Sequence, residues 1–315
     1  MKRSDHKKSS RTDRPTLPEL DQTKRSVLNS LTSLQSRRSY QHAIDEFIEW
    51  YCSEPRLALN RGVVLRYRMQ LESKQLAAST INVRLAAVRR LAYEAADAGL
   101  LSPELVAGIR RVKGVPQLGR RVGNWLTAAE GQQLLAGFDC ATLRSTRDAA
   151  MLSVLLGCGL RRSEVAGLKT GDIQRREDHW AIVDLVGKAG HVRTVPVPAW
   201  VKSAVNAWAE SVPIVAGNLF RSIRKNGTVW GTGITQNVVW YVVKACADRV
   251  GIKHLAPHDL RRTCARLCHA AGGELEQIQF LLGHASVQTT ERYIGCKQDL
   301  SRAVNDRLPF ASGHC

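Results

Sequence analysis

Apolar residues recur at helical spacing through the first third of the chain. From residue 39 to residue 51 they return every three or four positions, at Tyr40, Ile44, Phe47, Ile48 and Tyr51. This period places them on one face of an α-helix. The helical pattern continues from about residue 26 to residue 112, and it predicts a helical domain.

A second apolar stripe lies in the same domain, at Ile81, Leu85, Val88, Ala92 and Ala95. We expect Ser79 or Thr80 to cap the start of this helix and Gly99 to end it. Three arginines lie off the stripe, at Arg84, Arg89 and Arg90. An outer face of this kind suits a DNA clamp, but these arginines alone are more typical of a solvated helix face.

A polar segment at residues 113–124 predicts a linker. It contains four turn-forming residues among basic side chains, at Gly114, Pro116, Gly119 and Gly123. Directly after it, Thr127 and Glu130 have the spacing of a capping box, which marks a helix start. The predicted organisation is a basic disordered arm at 1–23, a helical domain at 24–112, the linker at 113–124 and a second domain at 125–315.

The second domain is also mostly helical, with one β-rich exception. Residues 180–186 and 192–197 are rich in β-forming side chains and flank the turn Gly187-Lys188-Ala189-Gly190. Two such segments around a glycine-bounded turn are typical of a hairpin. The fold class is therefore predicted as mainly α with a small β-hairpin or sheet.

The charge of the chain favours a polyanionic partner. The 315 residues carry 46 Lys and Arg against 28 Asp and Glu, which gives a net charge of +18. DNA suits this charge because each neutralised phosphate releases counterions. A membrane surface would favour a basic amphipathic helix, and neither that helix, a membrane span nor a secretory signal is seen in the sequence. The eight cysteines are scattered without a Cys-x-x-Cys pair, so we expect reduced cytoplasmic thiols.

Two short stretches of the second domain place charged side chains three residues apart. Arg161 and Glu164 would share a helix face, so the carboxylate could orient the guanidinium. His258 and Arg261 follow Pro257, which suits the first turn of a helix. Basic residues there oppose the helix dipole unless an anion is bound, which favours a phosphate site. Either stretch alone is also typical of an ordinary surface helix.

A third stretch combines a histidine with a tyrosine nine residues later. A helical stripe at Leu275, Ile278, Leu281 and Leu282 is expected to end at Gly283, and Ser286 could cap the next helix. In one straight helix His284 and Tyr293 would lie about 13 Å apart, at 1.5 Å per residue. A break between them could bring both side chains to one phosphate. A lone tyrosine at a helix end is more typical of packing.

Together these stretches resemble the signature of the tyrosine recombinase family, which includes phage integrases and Xer-like recombinases. The chain carries, in order, Gly-Leu-Arg-Arg-Ser-Glu, a Gly-Lys turn, His-Asp-Leu-Arg, Leu-Leu-Gly-His and a tyrosine. The intervals also agree, since 23 residues separate Arg261 from His284 and nine separate His284 from Tyr293. The resemblance covers about residues 24–300, because the helical first half resembles the core-binding domain of the family.

The resemblance implies a two-domain clamp, a SAM-like core-binding domain plus a catalytic domain, that cuts and rejoins DNA. It makes Tyr293 the nucleophile and Lys188 the acid that protonates the leaving oxygen. It assigns phosphate binding and the rest of the pocket to Arg161, His258, Arg261 and His284. One position departs from the family, which commonly has a second histidine where this chain has Arg262. We expect that side chain to point away from the helix face that carries His258 and Arg261.

The same resemblance implies the partners of the protein. Four copies would act as a ring on synapsed double-stranded DNA, with or without a related recombinase, in the cytoplasm and associated with the nucleoid. No cofactor, metal or membrane is part of this prediction.

Other functions fit part of the pattern. A metal nuclease needs clustered carboxylates, and those in these motifs are isolated. A zinc site would use Cys264, Cys268 and His269, but their spacing on a predicted helix favours cysteines of an apolar core. A type IB topoisomerase and a non-catalytic DNA-binding protein on the same fold remain alternatives. The two-domain length favours recombination over the first, and the filled catalytic positions favour an enzyme over the second.

Overall fold

The computed structural model describes residues 17–53, 58–116, 124–139, 141–187 and 190–295. The chain divides into two compact units, residues 1–120 and 121–315. Each unit has its own apolar core. The division falls within the segment 113–124. None of the helices in the described ranges is long and apolar enough to cross a membrane.

The first unit is a helical bundle with α4 at its centre. Its helices are α1 (Leu17–Asn29), α2 (Leu34–Ser53), α3 (Arg61–Ser73), α4 (Ala78–Asp97) and α5 (Pro103–Arg110). Helix α4 contacts the other four, and its predicted stripe is buried. The predicted cap is wrong, because the helix begins one residue before Ser79, after Ala77, which makes no side-chain cap bond. Gly99 adopts a φ of 71° just beyond the helix, as expected for a helix end.

The predicted disordered arm is wrong in its last seven residues, because helix α1 begins at Leu17. Leu20 and Val27 of this helix are fully buried in the core of the first unit. They lie seven positions apart and therefore on one helix face, which is enough to hold a polar sequence against the bundle. Residues 1–16 of the predicted arm lie outside the described residues.

The first residues of the predicted linker are packed onto the first unit. The Asn82 side chain of α4 donates to the Val115 carbonyl at 3.0 Å and accepts from the Val115 N–H at 2.8 Å. Gly114 passes so close that an added Cβ would lie 2.3 Å from Asn82 Oδ1. The segment up to Val115 is therefore part of this unit.

The second unit is built around α7, which is buried along most of its length. Its helices are α6 (Ala128–Ala136), α7 (Leu143–Cys158), α8 (Arg162–Gly167), α9 (Ala199–Ser211), α10 (Gln236–Arg249), α11 (Pro257–Ala270), α12 (Leu275–Leu282) and α13 (Val287–Ile294). Helix α7 contacts α6, α8, α9, α10 and α11. Trp208 of α9 is fully buried, and its indole N–H donates to the Leu219 carbonyl at 2.9 Å. The predicted capping box of Thr127 and Glu130 is present at the start of α6.

Two small antiparallel sheets complete the second unit. Their strands are β1 (Ile173–Arg176), β2 (His179–Val186) and β3 (Val192–Val197) in one sheet, and β4 (Ser222–Ile223) with β5 (Val229–Trp230) in the other. Strands β2 and β3 are the arms of the predicted hairpin, with Val186 opposite Val192. Along β3, Arg193 shares a face with the buried residues Val195 and Val197.

Helices α12 and α13 are separated by the break that the sequence predicts. Gly283 ends α12 in the left-handed conformation, with a φ of 61°. The Ser286 hydroxyl then accepts from the Thr289 N–H at 3.3 Å and caps α13. The break redirects the chain, so the two helices do not form one straight rod.

Replacing Gly283 with alanine is expected to destabilise the second unit more than the same change at Gly251. Both glycines follow a helix at positive φ, 61° and 73°, so each alanine costs about 1–2 kcal/mol for its left-handed backbone. A Cβ at Gly251 meets open space, whereas one at Gly283 would lie 2.8 Å from Arg193 Cδ. Urea denaturation should show the larger loss in the free energy of unfolding for Gly283→Ala. Equal losses would show that the contact with Arg193 carries no weight.

Candidate active site

Arg161 is held by the carboxylate of Glu164. Arg161 is the residue just before α8, and Glu164 reaches back to accept from its guanidinium at 2.7 Å and from its backbone N–H at 2.8 Å. The two side chains therefore meet across a helix start, and not along a helix face as the sequence suggested. The Glu164 side chain is only 5% exposed and that of Arg161 27%. The buried carboxylate thus fixes a guanidinium that still reaches the surface.

The sequence interpretation missed Arg193 of β3. Its two terminal nitrogens donate to the two oxygens of Glu164 at 3.0 and 2.9 Å, and its Nε donates to the Leu281 carbonyl at 3.1 Å. The Arg193 side chain is 8% exposed, so this is a buried, bidentate ion pair. Strand alternation could have found it, because it places Arg193 on the apolar face of β3, where a charge needs a partner.

Glu164 is ionised at neutral pH. Burial alone would raise the pKa of this carboxyl. The hydrogen bonds from Arg193 and from the Arg161 backbone, with the positive charge of Arg193, outweigh burial and lower the pKa to about 2.

Arg261 of α11 is the most deeply placed of the predicted site residues. It is 1% exposed, and its guanidinium donates to the Gly159 carbonyl at 2.6 Å and to the Leu282 carbonyl. These carbonyls lie at the ends of α7 and α12, where helices leave acceptors unsatisfied. Burial and the nearby charge of Arg161 lower its pKa to about 10, so it stays protonated at neutral pH.

Tyr293 of α13 lies between the two predicted histidines. Its ring centroid is 5.3 Å from that of His258 and 5.1 Å from that of His284, both edge-on. The phenol donates to the His258 carbonyl at 3.2 Å. His284 Nδ1 lies 3.1 Å from the hydroxyl of Thr290, a buried residue of α13. The break after α12 thus brings His284 and Tyr293 into contact.

Three of the predicted site residues, Arg161, His258 and Arg261, help to line a cavity of about 380 Å³. Burial, then Arg262 and Arg261, lower the pKa of His258. Burial, then Arg261 and Arg161, lower the pKa of His284 to about 4. Both imidazoles are therefore neutral at pH 7 and can accept a proton.

Tyr293 is a neutral phenol in this arrangement. Burial raises its pKa above the usual value, and the charges of Arg261 and Arg262 offset only part of that effect. For this phenol to act as a nucleophile, a neighbouring group would have to accept its proton.

Arg262 contacts Tyr293, which the sequence interpretation did not foresee. Its guanidinium carbon lies 4.7 Å from the centroid of the Tyr293 ring. The helical period places Arg262 and Arg261 on different faces of α11, as expected. Helix α13, however, packs against α11 on the side where Arg262 projects. The contact is therefore tertiary, and helix periodicity could not show it.

Lys188 lies outside the described residues. Its neighbour Gly187 follows β2, and its N–H donates to the His191 carbonyl at 2.7 Å. A Cβ added at Gly187 would lie 3.5 Å from the Arg161 guanidinium. The end of the hairpin therefore stands beside Arg161.

Cys264, which the zinc alternative would use, packs as a core residue. It is 3% exposed, and its thiol lies 3.7 Å from the Gly157 carbonyl. In the ranges that the structure describes, no three His, Cys, Asp or Glu side chains are grouped to hold a metal ion.

Comparisons with known proteins identify tyrosine recombinases as relatives of this chain. The chain is 28% identical to tyrosine recombinase XerC of Herpetosiphon aurantiacus, over 84% of this chain and 85% of that protein. It is 30% identical to tyrosine recombinase XerD of Ralstonia nicotianae, over 72% of each. A solved structure of XerH site-specific recombinase, bound to palindromic difH substrate in a post-cleavage complex, aligns with a TM-score of 0.69. That alignment covers 88% of this chain and 80% of the other at 19% identity, and it shows the fold.

Models of protein families extend the match to both units. Residues 28–99 match the N-terminal SAM-like domain of phage integrases. Residues 124–298, more than half of the chain, match the phage integrase family itself. The fold is thus mainly helical with small antiparallel sheets, a SAM-like domain followed by a catalytic domain, and the chain belongs to the phage integrase family.

Proposed function

We propose that this protein is a site-specific tyrosine recombinase that cleaves and rejoins double-stranded DNA through a 3′-phosphotyrosine bond. The observation that carries the proposal is the position of Tyr293, between two histidines of lowered pKa and beside Arg261 and Arg262. Residues of α11, of α13 and of the turn between α12 and α13 meet there, which a packing role for a single tyrosine would not require.

Two guanidiniums suit the phosphate. The transition state of phosphoryl transfer gathers charge on the non-bridging oxygens, and arginine offers planar donors that stay protonated. Arg161 presents its outer N–H groups from the rim, and Arg261 presents its charge from the floor of the cavity. Preorganised donors of this kind are each worth roughly 10²–10³ in rate.

In the proposed cleavage step, residues of this chain account for the nucleophile and for both proton transfers. Tyr293 Oη forms a bond to phosphorus as the bond from phosphorus to the 5′ oxygen breaks. The phenol proton passes to a neutral imidazole of His258 or His284, and Lys188 gives a proton to the leaving oxygen. The covalent link conserves the phosphodiester bond energy, so a second 5′-hydroxyl can reverse the step on another duplex.

Strand exchange requires more than one copy of the protein. We propose four protomers on two synapsed duplexes, acting on one pair of strands at a time, with or without a related recombinase. In this proposal residues 24–112 form the core-binding domain, 113–124 the linker and 125–315 the catalytic domain. The net charge of +18 supports nucleoid DNA in the cytoplasm as the place of action.

Tyr293→Phe is expected to abolish covalent attachment to DNA and to leave DNA binding intact, because only the nucleophilic oxygen is lost. Wild type and variant would be incubated with DNA flanking the native locus of the gene, stopped with detergent and examined for an adduct that protease destroys. Tyr241→Phe, at a 65% exposed position of the same unit, is the matched control and should form the adduct.

An adduct formed equally by Tyr293→Phe would exclude this nucleophile. Tight, salt-sensitive binding without any adduct would favour dependence on a partner recombinase first, and a non-catalytic DNA-binding protein second. Relaxation of supercoiled DNA without strand exchange would favour a type IB topoisomerase.

Arg193→Lys is expected to slow single-turnover cleavage by about 10²-fold, the cost of a misplacement on the order of 1 Å in a catalytic group. Lysine keeps the charge but loses the two-pronged contact with Glu164 that positions Arg161. Arg175→Lys, on the exposed part of β1, is the control and should cleave at the wild-type rate. Both variants should retain the DNA affinity of the wild type. A wild-type cleavage rate for Arg193→Lys would refute the positioning role.

A further inference from the structure

Arg262 occupies an unusual place for a side chain next to a phosphate-binding arginine. It projects from α11 onto the ring of Tyr293, with 4.7 Å between its guanidinium carbon and the ring centroid. The side chain is 13% exposed, so most of its surface is covered. Cation–ring attraction is strongest where water is excluded.

The acidic neighbour of Arg262 does not draw it away from the ring. Asp259 Oδ1 lies 3.9 Å from the nearest guanidinium nitrogen, which is too long for a hydrogen bond. Asp259 Oδ2 instead accepts from the Ala256 N–H at 3.0 Å and caps α11. The Nε of Arg262 is buried and has no hydrogen-bond partner among the described residues. The Arg262 guanidinium therefore lies over the Tyr293 ring, with the Asp259 carboxylate nearby but not hydrogen-bonded to it.

We propose that Arg262 is a positioning residue for the nucleophile: its guanidinium stacks on the Tyr293 ring, holds the phenol between His258 and His284, and supplies a permanent positive charge that favours the phenolate as the oxygen attacks. That Tyr293 is a nucleophile rests on the proposed function. The contact between Arg262 and the Tyr293 ring rests on the geometry alone.

The charges that face Tyr293 come from three segments. Helix α11 contributes Arg261, Arg262, Asp259 and the ring of His258, the start of α8 contributes Arg161, and the turn before α13 contributes His284. Arg261, Arg262 and Arg161 favour the phenolate, whereas burial and Asp259 oppose it. Arg261 is tied to two carbonyls and Arg161 to Glu164, so Arg262 is the cation whose main contact is the ring itself.

Arginine differs from a histidine at this position in one physical respect. A guanidinium stays charged across the whole working pH range, whereas an unperturbed imidazole loses its charge near pH 6.5. A permanent charge over the ring makes the electrostatic support of Tyr293 independent of pH.

Arg262→Gln is expected to raise the pKa of Tyr293 by about one unit, because a nearby cation is lost. The pKa can be read without DNA, from the pH titration of protein carrying [ζ-13C]tyrosine, with the Tyr293 signal assigned by Tyr293→Phe. Arg262→Lys keeps the charge and should leave the pKa close to that of the wild type. Arg224→Gln removes the same charge from over the Trp230 ring, 5.7 Å away, and should change nothing at Tyr293.

The rate of adduct formation provides the second readout, on the DNA that the wild type cleaves. For Arg262→Gln the rate at pH 7 should fall about tenfold, and the rising limb of the pH profile should move up by about one unit. Arg262→Lys should keep the limb in place and lose part of the rate, because ammonium stacks less well than guanidinium. A purely structural role would lower the rate at every pH without moving the limb.

The two readouts separate the inference from the proposed function. If the wild type forms no adduct, the proposed function fails while the titration still tests the contact. If the wild type forms the adduct but Arg262→Gln has an unchanged pKa and pH profile, the inference is overturned and the proposed function stands. Weaker DNA binding by Arg262→Gln, with a salt slope smaller by about one and an unmoved pKa, would make Arg262 a phosphate contact instead and would also overturn it.

Discussion

The buried carboxylate of Glu164 is the interaction on which the rest of the site depends. It accepts from the backbone and side chain of Arg161 and from both terminal nitrogens of Arg193. Arg193 also donates to the Leu281 carbonyl, so one network ties the start of α8 to β3 and to the end of α12. A buried charge is costly unless its hydrogen bonds are complete. Here Arg161 and Arg193 donate to both oxygens of the Glu164 carboxylate, which in turn holds both guanidiniums. Arg161 and the turn that leads to His284 are therefore positioned by the same carboxylate.

The remaining cations are held in a different way. Arg261 donates to two helix-end carbonyls and has no carboxylate partner among its recorded bonds, so its position is fixed without its charge being neutralised. Arg262 is held against an aromatic ring, with Asp259 at 3.9 Å. With Arg161 and Arg193 included, the positive charges of this cluster outnumber Glu164 and Asp259. An excess of fixed positive charge around a cavity suits an anionic ligand, and it keeps the neighbouring imidazoles unprotonated.

Sequence reasoning was most successful where structure is decided by near neighbours. The capping box at Thr127, the hairpin arms and the break at Gly283 each depend on a few adjacent residues, and the structure has them as predicted. Sequence reasoning failed where an element distant in the chain decides the surroundings of a side chain. The contact of Arg262 depends on how α13 meets α11, and the burial of Arg193 depends on which face of the hairpin is covered. The order of the motifs along the chain indicated the family. The three-dimensional structure added the contacts that hold each of the described site residues in place.

Burial is the main cause that lowers the pKa values of the two histidines, and nearby arginines add to it. In the free protein, burial together with Arg261 and Arg161 keeps both imidazoles neutral, and Arg262 adds to this effect at His258. The phenol of Tyr293 meanwhile donates to the His258 carbonyl. In the proposed reaction a bound phosphodiester adds a negative charge to this cluster. A negative charge stabilises an imidazolium, so the basicity of His258 and His284 rises when the DNA arrives. The same charge weakens the support that the arginines give to a phenolate, so proton transfer to a histidine matters most in the complex. In the proposed reaction, DNA binding thus raises the basicity of the two histidines that surround the neutral tyrosine, so that one of them can accept its proton.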